Sequence, residues 1–195
     1  SAPQEVALHV FREADDGAGC LLQASFAARP QPVRPGAWCC GAGWPESGRV
    51  RVPPDWPSGA YRLELRGADG AAPSGDATML LVVRSASPGA ASAALLVVST
   101  FTYAAYNNWG GHSLYSFSSR AEGALPERDA EFAHVLHPMG GGLQSSAVSR
   151  HRPGHGYGGT IEGRFCTWEP PLVRWCAAAG VPLQFATHGD IDGGG

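Results

Sequence analysis

Short runs in which apolar and polar residues alternate dominate the first 85 residues. They occupy residues 6–11, 20–26, 48–52, 61–65 and 78–83. Gly, Pro or Asp bounds each run, and successive side chains of a strand point to opposite faces, so the pattern predicts a β-sandwich domain over residues 1–85. Trp56 and Tyr61 flank a turn that contains Pro and Gly, and we expect them to pack in the core of this domain.

The pattern changes after a linker of small residues at 86–92. Residues 93–100 are apolar without alternation, which is typical of a strand buried on both faces of a parallel sheet. Residues 169–179 predict a helix that ends at Gly180, and residues 181–187 predict a second strand. The prolines at 170 and 171 suit the first turn of that helix. Its predicted apolar face consists of Leu172, Val173, Trp175 and Cys176.

Residues 93–195 therefore predict one strand, crossover and strand of an α/β domain, with a long irregular stretch at 100–167. Two parallel strands are not stable alone, because parallel sheets are covered by helices on both faces. We therefore expect the remaining strands beyond Gly195. The predicted fold class is mixed α+β and α/β, with a complete β-domain followed by a truncated α/β domain.

Composition and charge exclude two classes of partner. Of 195 residues, 44% are hydrophobic and 16% are charged, which allows a buried core. All 14 basic residues are arginines, scattered among 17 acidic ones, so the chain has no basic stripe for nucleic acid. No apolar run approaches the roughly 20 residues that span a membrane. The five cysteines are odd in number and lack a C-x-x-C motif, which predicts reduced thiols in a cytoplasmic protein.

The richest candidate site follows the first strand of the α/β domain. Residues 100–115 contain three tyrosines, two asparagines and a histidine, and the end of the second strand adds His188, Asp190 and Asp192. Ligands of open α/β sheets bind at the carboxyl ends of the strands, so both segments predict a site at one sheet edge. Its catalytic candidates are Asn107, His112 and His188. The alternative is that Tyr103 and Trp109 only cap the core.

Other chemistries have less support in the sequence. His134 and His137, and His151 and His155, are spaced like metal-ligand pairs, but Pro153 and several glycines prevent a helix over the second pair. The favoured interpretation is that these four histidines lie in solvated loops. Ser99 and Ser113 lack the glycines of a nucleophile elbow, and the glycine runs at 140–142 and 193–195 lack the Lys of a phosphate loop. Cys166 precedes the helix without a marked base partner.

Four segments in the same order resemble a known family. Residues 95–99 followed by 103–115 resemble the N,N-dimethylformamidase large (beta) subunit-like C-terminal region, and residues 55–61, 168–175 and 187–190 fit the same family. The resemblance implies an Ig-like β-sandwich followed by an α/β domain similar to class I glutamine amidotransferases.

The resemblance also implies an iron centre. The amidase holds one iron by two tyrosines and a glutamate, and by resemblance the tyrosines are Tyr106 and Tyr115, with Tyr103 as a substitute for either. Phenolate is a hard oxygen donor that suits ferric iron. The glutamate of the family lies in a His-x-Glu motif, which does not follow Asp190 here. We therefore expect it beyond Gly195.

Together with the fold, the resemblance implies a fragment of a metal-dependent hydrolase, with iron as the expected metal, that cleaves carbon–nitrogen bonds of small amides and is inactive alone. Its expected partners are a small amide substrate and either further copies of the chain or a small subunit, with no nucleic acid and no membrane. The alternative is a non-catalytic module that binds a carbohydrate or another small molecule. In that case Tyr103, Trp109 and Tyr115 form an apolar platform.

Overall fold

A computed structural model describes residues 2–16, 18–67, 70, 77–90, 92, 94–121, 124–148 and 165–193. The described chain has a mixed α and β structure. It contains a four-stranded antiparallel sheet, a pair of parallel strands, a small hairpin and four short or medium α-helices. The prediction that the chain combines an antiparallel β region with a parallel one is confirmed.

Four strands form the N-terminal sheet in the order β2-β1-β3-β4. They are β1 (Gln4–Arg12), β2 (Leu22–Ala28), β3 (Gly59–Gly67) and β4 (Thr78–Val83). The alternating pattern found these four, because one face of each strand carries the apolar residues of a core. Helix α1 (Ala37–Cys40) lies between β2 and β3.

The strand predicted at 48–52 does not form. This segment is irregular and lies over the apolar face of the sheet, where Val50 packs against the core. A Cβ atom on Gly48 would approach the Phe26 ring to 1.9 Å, so the backbone itself is in contact with that ring. The described residues 2–16, 18–67 and 77–90 consequently contain one antiparallel sheet, where the alternation predicted a sandwich of two.

The prediction that Trp56 and Tyr61 pack in the core of the sheet is confirmed. Tyr61 is fully buried, and its ring stacks on Trp56 with centroids 4.7 Å apart and planes within 8° of parallel. The Tyr61 hydroxyl donates a hydrogen bond of 2.7 Å to the carbonyl of Pro57, which satisfies a phenol that burial would otherwise leave unpaired. The same cluster includes Leu8 and Val10.

Strands β5 (Ala94–Val98) and β8 (Leu183–Thr187) are parallel. Their register pairs Ala94 with Leu183 at one end and Val98 with Thr187 at the other. This confirms the predicted strand order. Leu95 is 59% exposed, so the prediction that β5 is buried on both faces is wrong for the described chain. The reason is that one face of the pair packs on the antiparallel sheet and on helix α3 (Phe165–Ala178).

Helix α3 begins four residues before the predicted start, and its prolines lie in the second turn rather than the first. Val173 and Cys176 are buried, but Leu172 and Trp175 are 46% and 61% exposed. Successive helical residues point about 100° apart, which places Val173 and Cys176 about 60° apart on one side of the helix and turns Leu172 and Trp175 away from it. The predicted apolar face therefore divides into a buried stripe and an exposed one.

The stretch predicted as irregular contains regular structure. Helix α2 (Thr100–Tyr106) follows β5 directly, and strands β6 (Leu136–Met139) and β7 (Gly142–Ser145) form an antiparallel hairpin. Gly140 and Gly141, both with positive φ, make the two-residue turn between them. Such a glycine pair is the usual connection of a tight hairpin, so the signal was present in the sequence.

The antiparallel sheet and the parallel pair touch directly. The hydroxyl of Ser58 accepts a hydrogen bond of 2.9 Å from the backbone N–H of Phe185, and the amide oxygen of Gln184 accepts one of 2.9 Å from Gly89. The domain limits at 85 and 93 stay a prediction. Within the described residues, no helix is long and apolar enough to cross a membrane.

Candidate site at the carboxyl edge of the parallel strands

The carboxyl ends of β5 and β8 lie side by side, because Val98 pairs with Thr187. Helix α2 begins at Thr100 and helix α4 (His188–Asp192) begins directly after β8. The two polar segments found in the sequence therefore meet at the same sheet edge, as the parallel arrangement predicts.

Tyr103 is the buried centre of this edge. It lies on α2 with only 5% of its surface exposed, and its hydroxyl donates a hydrogen bond to Oε1 of Glu169 on α3. The other carboxyl oxygen of Glu169, Oε2, is buried and has no hydrogen-bond partner among the described residues. The edge therefore holds a phenol and a carboxyl group in contact, with one buried acceptor still unsatisfied.

Burial controls the protonation of both groups. It raises the pKa of Tyr103, and the hydrogen bond to Glu169 raises the pKa of this phenol further. Burial likewise raises the pKa of the Glu169 carboxyl, while the hydrogen bond from Tyr103 offsets part of that rise. In the absence of a cation, the pair therefore favours a protonated phenol.

Tyr106 and Tyr115 are in contact beside this pair. Their rings stack with centroids 4.3 Å apart and planes 22° apart, and the ring of Phe117 packs against both at 6.0 and 5.6 Å. Tyr106 lies three residues after Tyr103 on α2, so the two tyrosines share one face of that helix. The structure thus brings together the two tyrosines that the resemblance selected, although their role as ligands stays a prediction.

His188 and Asp190 hold the opposite side of the edge. The Nδ1 atom of half-buried His188 accepts a hydrogen bond of 3.3 Å from the N–H of Phe101, so the neutral ring carries its proton on Nε2. Asp190 caps α4 by accepting bonds of 2.7 and 2.8 Å from the N–H and hydroxyl of Thr187, and it pairs with Arg84. These bonds, led by that from the Thr187 N–H, lower the pKa of Asp190.

Asn107 and His112 both make bonds that shape the loop after α2. The side-chain oxygen of Asn107 accepts a bond of 2.8 Å from the N–H of Trp109, which forms a local turn. His112 is fully buried, packs on the Trp38 ring at 4.6 Å, and donates from Nδ1 to the Leu143 carbonyl at 2.8 Å. Burial lowers the pKa of His112, which favours the neutral ring. Catalytic roles for Asn107 and His112 stay predictions.

A comparison with protein families covers nearly the whole chain. Residues 11–195 match the family described as N,N-dimethylformamidase beta subunit-like, C-terminal. The chain belongs to this family. A search of curated proteins finds no match to the chain. Membership in the dimethylformamidase-like family confirms the resemblance that the tyrosine-rich segment and its three companion segments indicated.

The other candidate site residues of this dimethylformamidase-like chain are the paired histidines and the serines. His134 and His137 are exposed, and Nδ1 of His134 donates to the Glu131 carbonyl at 2.9 Å. Ser113 is buried and bonded to Ser118 at 2.6 Å. His151 and His155 lie outside the described residues. Within the described residues, no three His, Cys, Asp or Glu side chains lie close enough together to hold a metal ion.

The aromatic residues of the proposed platform have different surroundings. Tyr103 is buried and therefore cannot belong to an exposed platform. Trp109 packs edge-on against Trp44, with centroids 5.5 Å apart. The exposed rings beside Tyr106 are instead Tyr115 and Phe117, which are 37% and 66% exposed.

Sequence reasoning did not identify Glu169 as a site residue. We predicted only that it starts a helix, yet it reaches Tyr103 from the first half of α3. One signal for it is present in the sequence: Glu169 is the only acidic residue of this 14-residue helix. An isolated carboxylate in an apolar helix needs a partner when it faces a core.

Proposed function

We propose that this chain forms part of a hydrolase that cleaves carbon–nitrogen bonds of small amides, as its dimethylformamidase-like family suggests. The observation that carries the proposal is the contact between the Tyr103 phenol and the Glu169 carboxyl at the carboxyl edge of β5 and β8. This edge is where α/β folds bind ligands, and a buried carboxyl oxygen there lacks a partner among the described residues.

The donors at this edge fit iron. Tyr103, Tyr106 and Tyr115 supply phenol oxygens, and the unsatisfied Oε2 of Glu169 supplies a carboxylate oxygen. Both kinds of oxygen are hard ligands that suit ferric iron. We propose that iron is held by two of these tyrosines, with Tyr103 as a substitute for Tyr106 or Tyr115, and that Glu169 is the adjoining carboxylate. Bound iron would supply the Lewis acidity that polarises an amide carbonyl.

The protein's own residues position the reacting groups. In the hydrolysis, a water oxygen adds to the carbonyl carbon, the carbon–nitrogen bond breaks, and the nitrogen takes up a proton and leaves as an amine. The bond from Tyr103 fixes the Glu169 carboxyl, and stacking orders Tyr106 against Tyr115. His188 keeps an N–H donor on Nε2 because Phe101 occupies its Nδ1.

Finer assignments accompany this proposal. An Ig-like origin of the N-terminal sheet is supported by the bond from the Tyr61 hydroxyl to the carbonyl four residues upstream, an arrangement that recurs at the tyrosine corner of Ig-like domains. The parallel pair with its crossover helix supports a relation to class I glutamine amidotransferases. We assign the protein to the cytoplasm on its cysteine usage, with a small amide as substrate and either further copies of the chain or a small subunit as its protein partner.

Metal analysis of the protein that carries this chain tests the proposal. We expect stoichiometric iron, a visible tyrosinate charge-transfer band, and release of amine from small amides. Tyr103→Phe, Tyr106→Phe and Tyr115→Phe are compared with Tyr61→Phe, which removes the same hydroxyl from the core of the other sheet. Loss of the band in at least two of the first three variants, but not in Tyr61→Phe, supports the assignment.

Two results contradict the proposal. One is a protein without iron that releases no amine from amides. The other is an iron content and a visible band that are the same in all four variants. Saturable binding of a sugar in a protein without iron, weakened by Tyr115→Phe, would instead establish the non-catalytic alternative.

A further inference from the structure

A second cleft lies at the end of the parallel pair opposite the candidate site. It has a volume of about 350 Å³, within the range of small-molecule sites. Residues that precede β5 or begin β8 line it, together with the end of β1 and the C-terminal half of α3. Five-residue strands, roughly 17 Å long, therefore separate this cleft from the edge that holds Tyr103.

Arg12 supplies the positive charge of the cleft. Its Nε atom is buried and has no hydrogen-bond partner among the described residues. Among the described residues, the guanidinium faces one carboxylate, that of Asp15, at 3.6 Å, which is longer than a hydrogen bond, and the Asp15 side chain is 41% exposed. The Tyr61 phenol is a further polar neighbour of the guanidinium: the positive charge of Arg12 and a hydrogen bond between the two side chains partly offset the rise that burial causes in the pKa of Tyr61. A guanidinium carries five N–H donors, so its capacity exceeds these contacts.

The remaining lining provides one further hydroxyl donor and an apolar wall. The Ser85 oxygen accepts bonds from the N–H of Ser87 at 3.1 Å and from the side chain of Gln184 at 3.3 Å, so its own proton is available for donation. The other two lining hydroxyls already donate, that of Ser58 to the carbonyl of Val83 and that of Ser92 to the carbonyl of Ala94. The other walls include the apolar side chains of Val173, Leu183 and Phe185.

We infer that this cleft binds a small monocarboxylate with a short aliphatic chain. Arg12 pairs with the carboxylate, which a planar guanidinium can bind through two parallel hydrogen bonds. The aliphatic chain lies against the apolar wall, and Asp15 competes for the guanidinium. The bound acid bridges the antiparallel sheet to α3 and β8, so it stabilises the folded chain by mass action. This site is separate from the proposed amide hydrolysis and does not depend on it.

Titration with butyrate at constant ionic strength tests the inference by calorimetry and thermal unfolding. Butyramide serves as the uncharged isostere, and chloride serves as a plain anion. We expect saturable binding of butyrate and a melting temperature that rises with its concentration. Butyramide and chloride should leave the melting temperature unchanged.

Four variants locate the binding site. Arg12→Gln should weaken butyrate binding at least tenfold, and Asp15→Asn should strengthen it several-fold by removing the competing carboxylate. Arg49→Gln is the matched control, because Arg49 pairs with Glu46 at 2.8 Å outside the cleft lining. Ala177→Phe fills the cleft, leaves the charge of Arg12 unchanged and should abolish butyrate binding. This variant tests the site even if Arg12→Gln fails to fold.

The inference is overturned if butyramide or chloride matches butyrate, or if butyrate has no saturable effect. It is also overturned if folded Arg12→Gln or Ala177→Phe binds butyrate with the affinity of the unchanged protein.

Discussion

Tyr61 and Tyr103 are both buried phenols, but their hydroxyl partners differ in kind. Tyr61 donates to a backbone carbonyl, whereas Tyr103 donates to the Glu169 carboxyl, which can itself gain or lose a proton. Removing one partner of a buried hydrogen bond leaves the other partner unsatisfied, and that penalty exceeds the net value of the bond. The Tyr103 hydroxyl is therefore important for folding as well as for the proposed chemistry.

Tyr103→Phe should lower the free energy of unfolding by about 1–2 kcal/mol, because both oxygens of the half-buried Glu169 would then lack a partner. Tyr115→Phe is the matched control and should change it by less than about 0.5 kcal/mol, since Tyr115 is 37% exposed. Urea unfolding of the metal-free protein measures both values. Equal losses in the two variants would contradict the burial of the Tyr103–Glu169 contact.

The same contact predicts coupling between two sites. In a Glu169→Leu background no carboxyl is left to pair with the phenol. Tyr103→Phe should therefore lower the free energy of unfolding by less in that background than in the unchanged chain, and the difference should be about 0.5 kcal/mol or more. A double-mutant cycle by urea unfolding measures the difference. Strict additivity of the two substitutions would show that the phenol and the carboxyl do not interact.

Among the elements, α4 depends on a cap formed by two residues. Thr187 and Asp190 form a reciprocal capping box at its start, and the helix has only five residues. Helices this short have little intrinsic stability, so capping and tertiary contacts hold them in place. The position of His188 at the candidate site follows from this cap.

The capping bonds predict a pH dependence of stability. The folded-state pKa of Asp190 lies below its usual value of about 3.9, so the stabilisation is fully present above that pH and is lost as the pH falls through the folded pKa. Asp190→Asn should therefore reduce the decline of stability in acid. Asp192→Asn, which removes a carboxylate from the same helix, should leave the decline unchanged, as measured by urea unfolding at pH 2–6.

Helix α3 differs most from its predicted packing. Val173→Ala should lower the free energy of unfolding by about 1–3 kcal/mol, because Val173 is only 3% exposed in the shared core. Leu172→Ala, one residue away and 46% exposed, should cost less than about 1 kcal/mol. A larger loss in the free energy of unfolding for Leu172→Ala than for Val173→Ala would show that the face of α3 with Leu172, and not the face with Val173, packs in the core.

At the scale of the whole molecule, one apolar cluster joins the two sheets. Ala60 from the antiparallel sheet packs with Val98 and Phe185 from the parallel pair, and with Phe165 and Val173 from α3. Because these side chains exclude water from one another, loss of either sheet exposes the other's core. The described chain should therefore unfold cooperatively.

Phe185→Ala tests this cooperativity. It should cost about 3–5 kcal/mol and lower the unfolding midpoint equally by far-UV circular dichroism and by aromatic signals from the Trp56–Tyr61 stack in the other sheet. Two separate transitions, with the aromatic signal unaffected by Phe185→Ala, would show that the sheets fold independently.

The amino-acid sequence by itself determined six of the eight described strands, the order of the parallel pair, and the family. Alternation of period two located β1 to β4, and an unbroken apolar run located β5, because these patterns follow directly from where side chains point. It also placed the tyrosine-rich segment and His188 at one sheet edge, since the carboxyl ends of parallel strands share an edge.

Only the tertiary structure decided which surfaces are buried and which side chains meet. Local periodicity cannot show that residues 48–52 cover a sheet without pairing, or that Leu172 faces outward while Val173 packs inward. The contact between Tyr103 and Glu169 joins residues 66 positions apart, and the cleft around Arg12 forms where four segments of the described chain converge. Such contacts depend on how the two sheets and α3 pack together, which no short window of sequence encodes.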